Sequence, residues 1–167
     1  MYVTSIKIKN LRCFEETELS FQYPGRKQKH PPKLPNINLL LGNNGAGKTT
    51  VLKAIALAVL APIMPQSGLV PYRLVRRTAT QNAEKDIAMV TANLTFHSQD
   101  TGAKSSKRTL AQPMIGMIAR TGDYESFTPY VRVVNPISWE LMFDDKSPAF
   151  LVVGYGATRR VEDSERL

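Results

Sequence analysis

Sulfur, long apolar runs and repeats are all scarce in this sequence, and each shortage removes a class of protein. One cysteine, Cys13, stands in 167 residues, so an intrachain disulfide is impossible and a disulfide-stapled secreted scaffold is excluded. A lone cysteine at an apolar strand end reads as packing. There is no run of about 18 apolar residues, the length a membrane-crossing helix needs. Nor is there a charged leader followed by an apolar stretch and a small-residue cleavage site. Both absences argue against membrane spanning and secretion, and the expected location is cytoplasmic. Internal repeats and heptads are missing too, which removes solenoids and coiled coils.

What is present suffices for one domain. Hydrophobic residues make up 43% of the chain, as in a water-soluble globular fold. Basic residues outnumber acidic ones by 22 to 14, a formal charge of +8. That balance suits a nucleic-acid partner, and equally an acidic part of a larger protein lying elsewhere, because polyanion binding depends on clustering rather than on the total.

The most informative stretch is Asn38 to Leu60. Its centre, Gly42-Asn43-Asn44-Gly45-Ala46-Gly47-Lys48-Thr49, fits the phosphate-loop pattern GxxxxGK[ST] at every fixed position. Before it, Ile37 to Leu41 reads as a short strand buried on both faces. After it, Lys48 to Leu60 contains neither Pro nor Gly and reads as a helix. Its apolar residues cover most of the circumference, which predicts deep burial between the sheet and a second layer. Glycines let such a loop turn tightly and bring backbone N–H groups, including those of the helix's first turn, onto phosphate oxygens. In this pattern Lys48 reaches the β and γ phosphates of ATP, Thr49 offers its hydroxyl to Mg²⁺, and Thr50 can donate to an inner phosphate. The nucleotide contacts are thus expected from Asn43, Asn44, Gly45, Ala46, Gly47, Lys48, Thr49 and Thr50.

Around this motif, Met1 to Asn10 and Glu16 to Tyr23 alternate in polarity and predict an antiparallel pair joined through Leu11 to Glu15. Pro24 to Pro35, with Arg26, Lys27, Lys29, His30 and Lys33, is too rich in proline for a helix or a sheet interior and reads as a solvated loop. Arg73, Arg76 and Arg77 form a basic cluster that faces nucleotide, nucleic acid or solvent. Asp86 to His97 alternates like a strand, with a partner expected at Lys107 to Leu110. From Ala111 to Ser126 there is little periodicity, and Met114 and Met117 read as packing. Tyr130 to Val134 reads as a short strand or loop, Trp139 to Phe143 as an apolar patch, and Ala149 to Val153 as a buried strand.

Ile6 to Phe14, Leu19 to Phe21 and Asn38 to Ile55 together resemble the N-terminal lobe of an ABC-type ATPase of the SMC/RecF/OLD-like branch, which includes ATPases of DNA repair and anti-phage defence. Gly154-Tyr155-Gly156-Ala157-Thr158-Arg159 is similar to a segment that ends the first lobe in the defence-associated members. The resemblance implies an α/β P-loop NTPase fold, an ABC-type head lobe I with antiparallel strands added to the nucleotide-binding sheet. It further implies Arg12 near the nucleotide, Asn44 beside the γ phosphate, and pairing of heads as a homodimer or heteromer. Neither Gln81 nor Gln112 follows a convincing strand, so neither is assigned to metal and water. The sequence departs from the family in lacking four apolar residues followed by Asp-Glu and any LSGG-like stretch; Asp144-Asp145 is a poor substitute. The chain therefore reads as a first lobe whose second lobe lies elsewhere. Lys48 is the expected catalytic residue of the complete ATPase, and a non-catalytic nucleotide-binding scaffold is the alternative. A GTPase lacks support because no NKxD segment occurs, and a simple kinase core would not begin with antiparallel strands.

Because the basic residues lie in loops with no base-reading motif, any nucleic-acid binding is expected to be non-specific. On duplex DNA the slope of log affinity against log salt should fall by about 0.9 for each phosphate neutralised. A flat plot in a fluorescence anisotropy titration would remove this electrostatic account.

Overall fold

The computed structural model describes residues 1–78, 86–95 and 112–128. Among them, strands β1 (Tyr2–Leu11), β2 (Phe14–Ser20), β3 (Ile87–Thr95), β4 (Gln112–Thr121) and β5 (Tyr124–Thr128) form one sheet in the order β2-β1-β3-β4-β5. Every neighbouring pair is antiparallel. Helix α1 (Lys48–Val59) lies across β1, β3 and β4 on one face of the sheet, and a single 3-10 turn, Met64–Gln66, follows it. The result is an α/β fold with a central sheet and one main helix.

Alternation decides which face is inside. Ile6 and Ile8 of β1, Ala88, Val90, Ala92 and Leu94 of β3, and Met114 and Ile118 of β4 are all buried. The first hairpin forms as expected, but it is tighter than the sequence suggests. Leu11 pairs with Phe14, which leaves Arg12 and Cys13 as the turn. The reversal uses left-handed backbone at Asn10 (φ 55°) and Arg12 (φ 49°). Asn accepts that conformation readily, and its side chain is fixed by donating to the Ile87 carbonyl at 3.0 Å. An arginine there is strained by about 1–3 kcal/mol. On the far face of the same hairpin, a hydrogen bond from Lys7 and its charge hold the Glu16 carboxyl below the usual range.

The expected strand over Ile37 to Leu41 does not form. Leu39 and Leu41 are 77% and 82% exposed, and no described strand runs beside them to complete a ladder. In place of a ladder, the Asn38 amide bridges Gln22, accepting from its N–H at 2.7 Å and donating to its carbonyl at 2.9 Å. The stretch of little periodicity from Ala111 to Ser126 largely overlaps β4 and β5, joined through Gly122 and Asp123. Gly116 hides the pattern. It occupies an inward position, and a Cβ there would stand 2.7 Å from the Leu57 carbonyl oxygen of α1. A glycine at this point lets helix backbone lie directly on the sheet, so an apolar residue is missing from the alternation where packing is closest.

Helix burial also differs from expectation. Val51, Ala54, Ala58 and Val59 are buried against the sheet, whereas Leu52 is 59% exposed. The sheet covers one side of α1, and no second layer covers the other among the described residues. The proposed strands at Lys107 to Leu110, Tyr130 to Val134 and Ala149 to Val153 lie outside the described residues, as do the Trp139 patch and the Gly154 to Arg160 segment.

Replacing Gly116 by Val should push the helix off β4. Such overpacking is expected to lower stability by about 1–3 kcal/mol, read as a lower urea midpoint with an unchanged slope.

Candidate functional site

The site begins with the loop's own hydrogen bonds. The Lys48 ammonium donates to the carbonyls of Gly42 at 2.6 Å and Asn43 at 2.8 Å, while the Ala46 N–H donates to the Asn43 carbonyl at 3.2 Å. These contacts curl 42–48 around a hollow. Gly47 closes it, serving as the residue before α1 with φ 89° and no side-chain cap. The Val51 N–H donates to the Gly47 carbonyl at 2.9 Å, so the amides of Lys48, Thr49 and Thr50 before it have no carbonyl partner within the helix. No acidic residue stands in that first turn, which leaves the positive end of the helix dipole uncompensated.

Tertiary packing adds the other wall. Arg12, Cys13, Asn44, Gly45, Gly47, Lys48, Thr49 and Thr50 line an open cavity of about 420 Å³, within the usual range for a small-molecule site. Of the residues expected from sequence, Arg12, Asn44, Gly45, Gly47, Lys48, Thr49 and Thr50 are brought together here. Asn43 and Ala46 are not among the lining residues; they shape the loop through the bonds just described. Cys13, read as packing, lines the cavity and is exposed. The only signal in the sequence was its place next to Arg12 in the segment joining the first two strands. A Cβ on Gly47 would meet Phe14 Cζ at 2.5 Å and Cys13 Sγ at 2.8 Å, so the phosphate loop sits directly on the tip of the β1–β2 hairpin.

This arrangement can bind a polyphosphate. It converges an ammonium, a guanidinium-bearing turn and a set of backbone donors on one hollow. The basic cluster farther along the chain is mostly engaged elsewhere: Arg76 meets Glu15 at 3.3 Å, Arg77 meets Asp123 at 3.5 Å, and Arg73 stacks over the Tyr72 ring at 5.3 Å. Gln81 and Asp144-Asp145 lie outside the described residues, as does the side chain of Gln112.

A family model for an AAA domain matches residues 5–141, well over half of the sequence. The chain belongs to the AAA domain family. It is also 44% identical, over 57 residues, to the DNA double-strand break repair Rad50 ATPase of Methanopyrus kandleri, a match that covers 34% of this chain and 5% of that protein. The chain therefore spans a small part of the relative's length. The two findings bear out the resemblance to the SMC/RecF/OLD-like branch drawn from sequence, in that they support an AAA-type ATPase domain distantly related to Rad50 and SMC/RecF ATPases. ATP binding is the general activity that goes with it. No helix among the described residues is long and apolar enough to cross a membrane.

Lys48→Ala removes the ammonium from the hollow together with the bonds that curl the loop. Loss of charged hydrogen bonds worth about 1.5–3 kcal/mol corresponds to roughly 10- to 150-fold weaker ATP binding. Isothermal titration calorimetry would read it, and unaltered affinity would remove Lys48 from the site.

Proposed function

We propose that this domain is the first lobe of an ATPase head, holding the phosphates of ATP between the phosphate loop and the β1–β2 turn. The convergence of Lys48, Arg12 and the first-turn amides of α1 on one cavity carries the reading. Lys48 and the backbone N–H groups would neutralise charge developing on the γ phosphate during in-line attack by water. Asn44 and Thr50 line the same cavity; in this reading Asn44 would approach that phosphate and Thr50 an inner one.

Thr49 fits the metal expected with the nucleotide. A hydroxyl is a hard oxygen ligand suited to Mg²⁺, which completes its shell with phosphate oxygens and water rather than an all-protein cage. The Mg²⁺ ion would supply charge neutralisation between the phosphates.

The uncovered apolar surface supports a second lobe. Leu39, Leu41 and Leu52 are exposed, and a groove of about 570 Å³, lined in part by Val3, Phe21, Leu40, Leu52 and Ile55, runs from the sheet edge to Lys48 and Thr49. A strand paired with Asn38 to Leu41 would cover that surface and could deliver the acidic pair that this lobe does not offer. In the complete protein, heads of this kind would pair as a homodimer or heteromer around ATP and couple hydrolysis to DNA-related work, in repair or anti-phage defence. The Rad50 relative supports the DNA connection. A non-catalytic nucleotide-binding scaffold remains the second reading, favoured by the same uncovered surface.

The 167-residue chain is expected to bind ATP more tightly with Mg²⁺ than without and to turn it over slowly or not at all. Calorimetry with ATP, GTP and ADP, followed by a phosphate-release assay, tests both parts. Failure to saturate at millimolar ATP with Mg²⁺ would overturn the binding proposal. Turnover typical of a complete ATPase, about 1 s⁻¹ or faster, and abolished by Lys48→Ala, would overturn the first-lobe proposal.

A further inference from the structure

Glu125, on β5, is a buried carboxylate that sequence reading gave no role. It is 7% exposed, and it is occupied not by a cation but by backbone. Its Oε2 accepts the Leu74 N–H at 2.7 Å and its Oε1 accepts the Val75 N–H at 3.2 Å. Burying an ionised carboxylate is costly unless its oxygens are hydrogen-bonded, so the two amides and the carboxylate fix one another. The segment they hold has no strand ladder of its own beyond one bridge, Leu11 to Val75.

That segment in turn grips the hairpin tip. The Leu74 carbonyl accepts the Arg12 N–H at 2.8 Å, and the Asn10 carbonyl accepts the Arg76 N–H at 3.0 Å. Leu74 is therefore tied on one side to Glu125 and on the other to Arg12. Arg12 has left-handed backbone, which a two-residue turn keeps only if its surroundings impose it. It also lines the phosphate cavity.

We propose that Glu125 is a positioning residue for the nucleotide site, setting Arg12 through the Leu74 peptide. The proposal rests on the reading that the cavity binds ATP. The Glu125 carboxylate presents two acceptors to two amides. A glutamine in its place presents one acceptor and one donor, and the donor faces an N–H. One tether is then lost, Leu74 loosens, and the strained turn relaxes away from the phosphates. No change at Lys48 or in the loop is required.

The test is a double-mutant cycle on ATP affinity with Mg²⁺, using Glu125→Gln, Arg12→Ala and the pair. Contacts coupled through one network show interaction energies that correspond to several-fold effects. Glu125→Gln is expected to weaken ATP about three- to tenfold in the parent and less than about twofold where Arg12 is already Ala. Equal losses in both backgrounds would make Glu125 merely structural and overturn the proposal, as would Arg12→Ala binding like the parent. A parent chain that binds no ATP would instead sink the nucleotide reading itself, and the proposal with it. Amide hydrogen exchange on the unmutated chain gives a second readout that survives a misfolded variant. Arg12, Leu74 and Val75 should gain protection together when ATP is added, and protection confined to the phosphate loop would overturn the proposal.

Discussion

A glycine pressed against the tip of a hairpin holds this domain's chemistry together. Gly47 has no room for a Cβ because Phe14 and Cys13 occupy that space, and its left-handed backbone would strain any other residue. Two demands on one position, steric and conformational, lock the loop-to-helix junction onto the β1–β2 turn. The phosphate loop is thereby anchored to the sheet at its business end, although the segment leading into it joins no strand. The direction of α1 follows from the same junction, since the helix starts at the next residue and must cross the sheet from there.

That direction is fixed a second time at the other end of the contact. Ala54 and Ala58 are fully buried, and Gly116 meets the helix backbone at Leu57. Small side chains on the helix and no side chain on the strand bring the two layers close, where dispersion contacts are dense. The helix is thus seated at both ends, by Gly47 and by Gly116. Its opposite side carries the exposed Leu52, which lines a groove together with Leu40 and Ile55. An apolar surface of that kind, next to backbone without a ladder among the described residues, is costly to leave in water.

Charge is distributed more locally than the net excess suggests. Arg76 and Arg77 are drawn to Glu15 and Asp123, and Arg120 to Asp86. The exposed pair of Arg77 and Asp123 adds little stability, while the Arg120 side chain is largely buried; all three pairs remove cations from the general field. What is left at the phosphate cavity is a small set of donors arranged by backbone geometry, with Lys48 held by carbonyls of its own loop. In the proposed site a polyphosphate would be recognised through that arrangement, with the excess of basic residues adding attraction at longer range.

The sequence by itself determined the local features. The spacing of Gly42, Gly47, Lys48 and Thr49 announced the loop, and the following residues announced the helix. Polar and apolar alternation announced β1, β2 and β3, because each of these depends on periodicity within a few neighbours. The β4–β5 hairpin escaped because Gly116, chosen for contact with the helix, interrupts the alternation that would have revealed it. Ile37 to Leu41 misled for the converse reason: five apolar or amide residues promise a strand, but a strand exists only when another chain segment completes its ladder. The resemblance, not any local periodicity, had put Arg12 near the nucleotide; only the tertiary structure brought Cys13 beside the phosphate loop and placed the Glu125 carboxylate on Leu74. Those contacts join residues dozens of positions apart, and no local pattern records which distant backbone a side chain will meet once the sheet has closed.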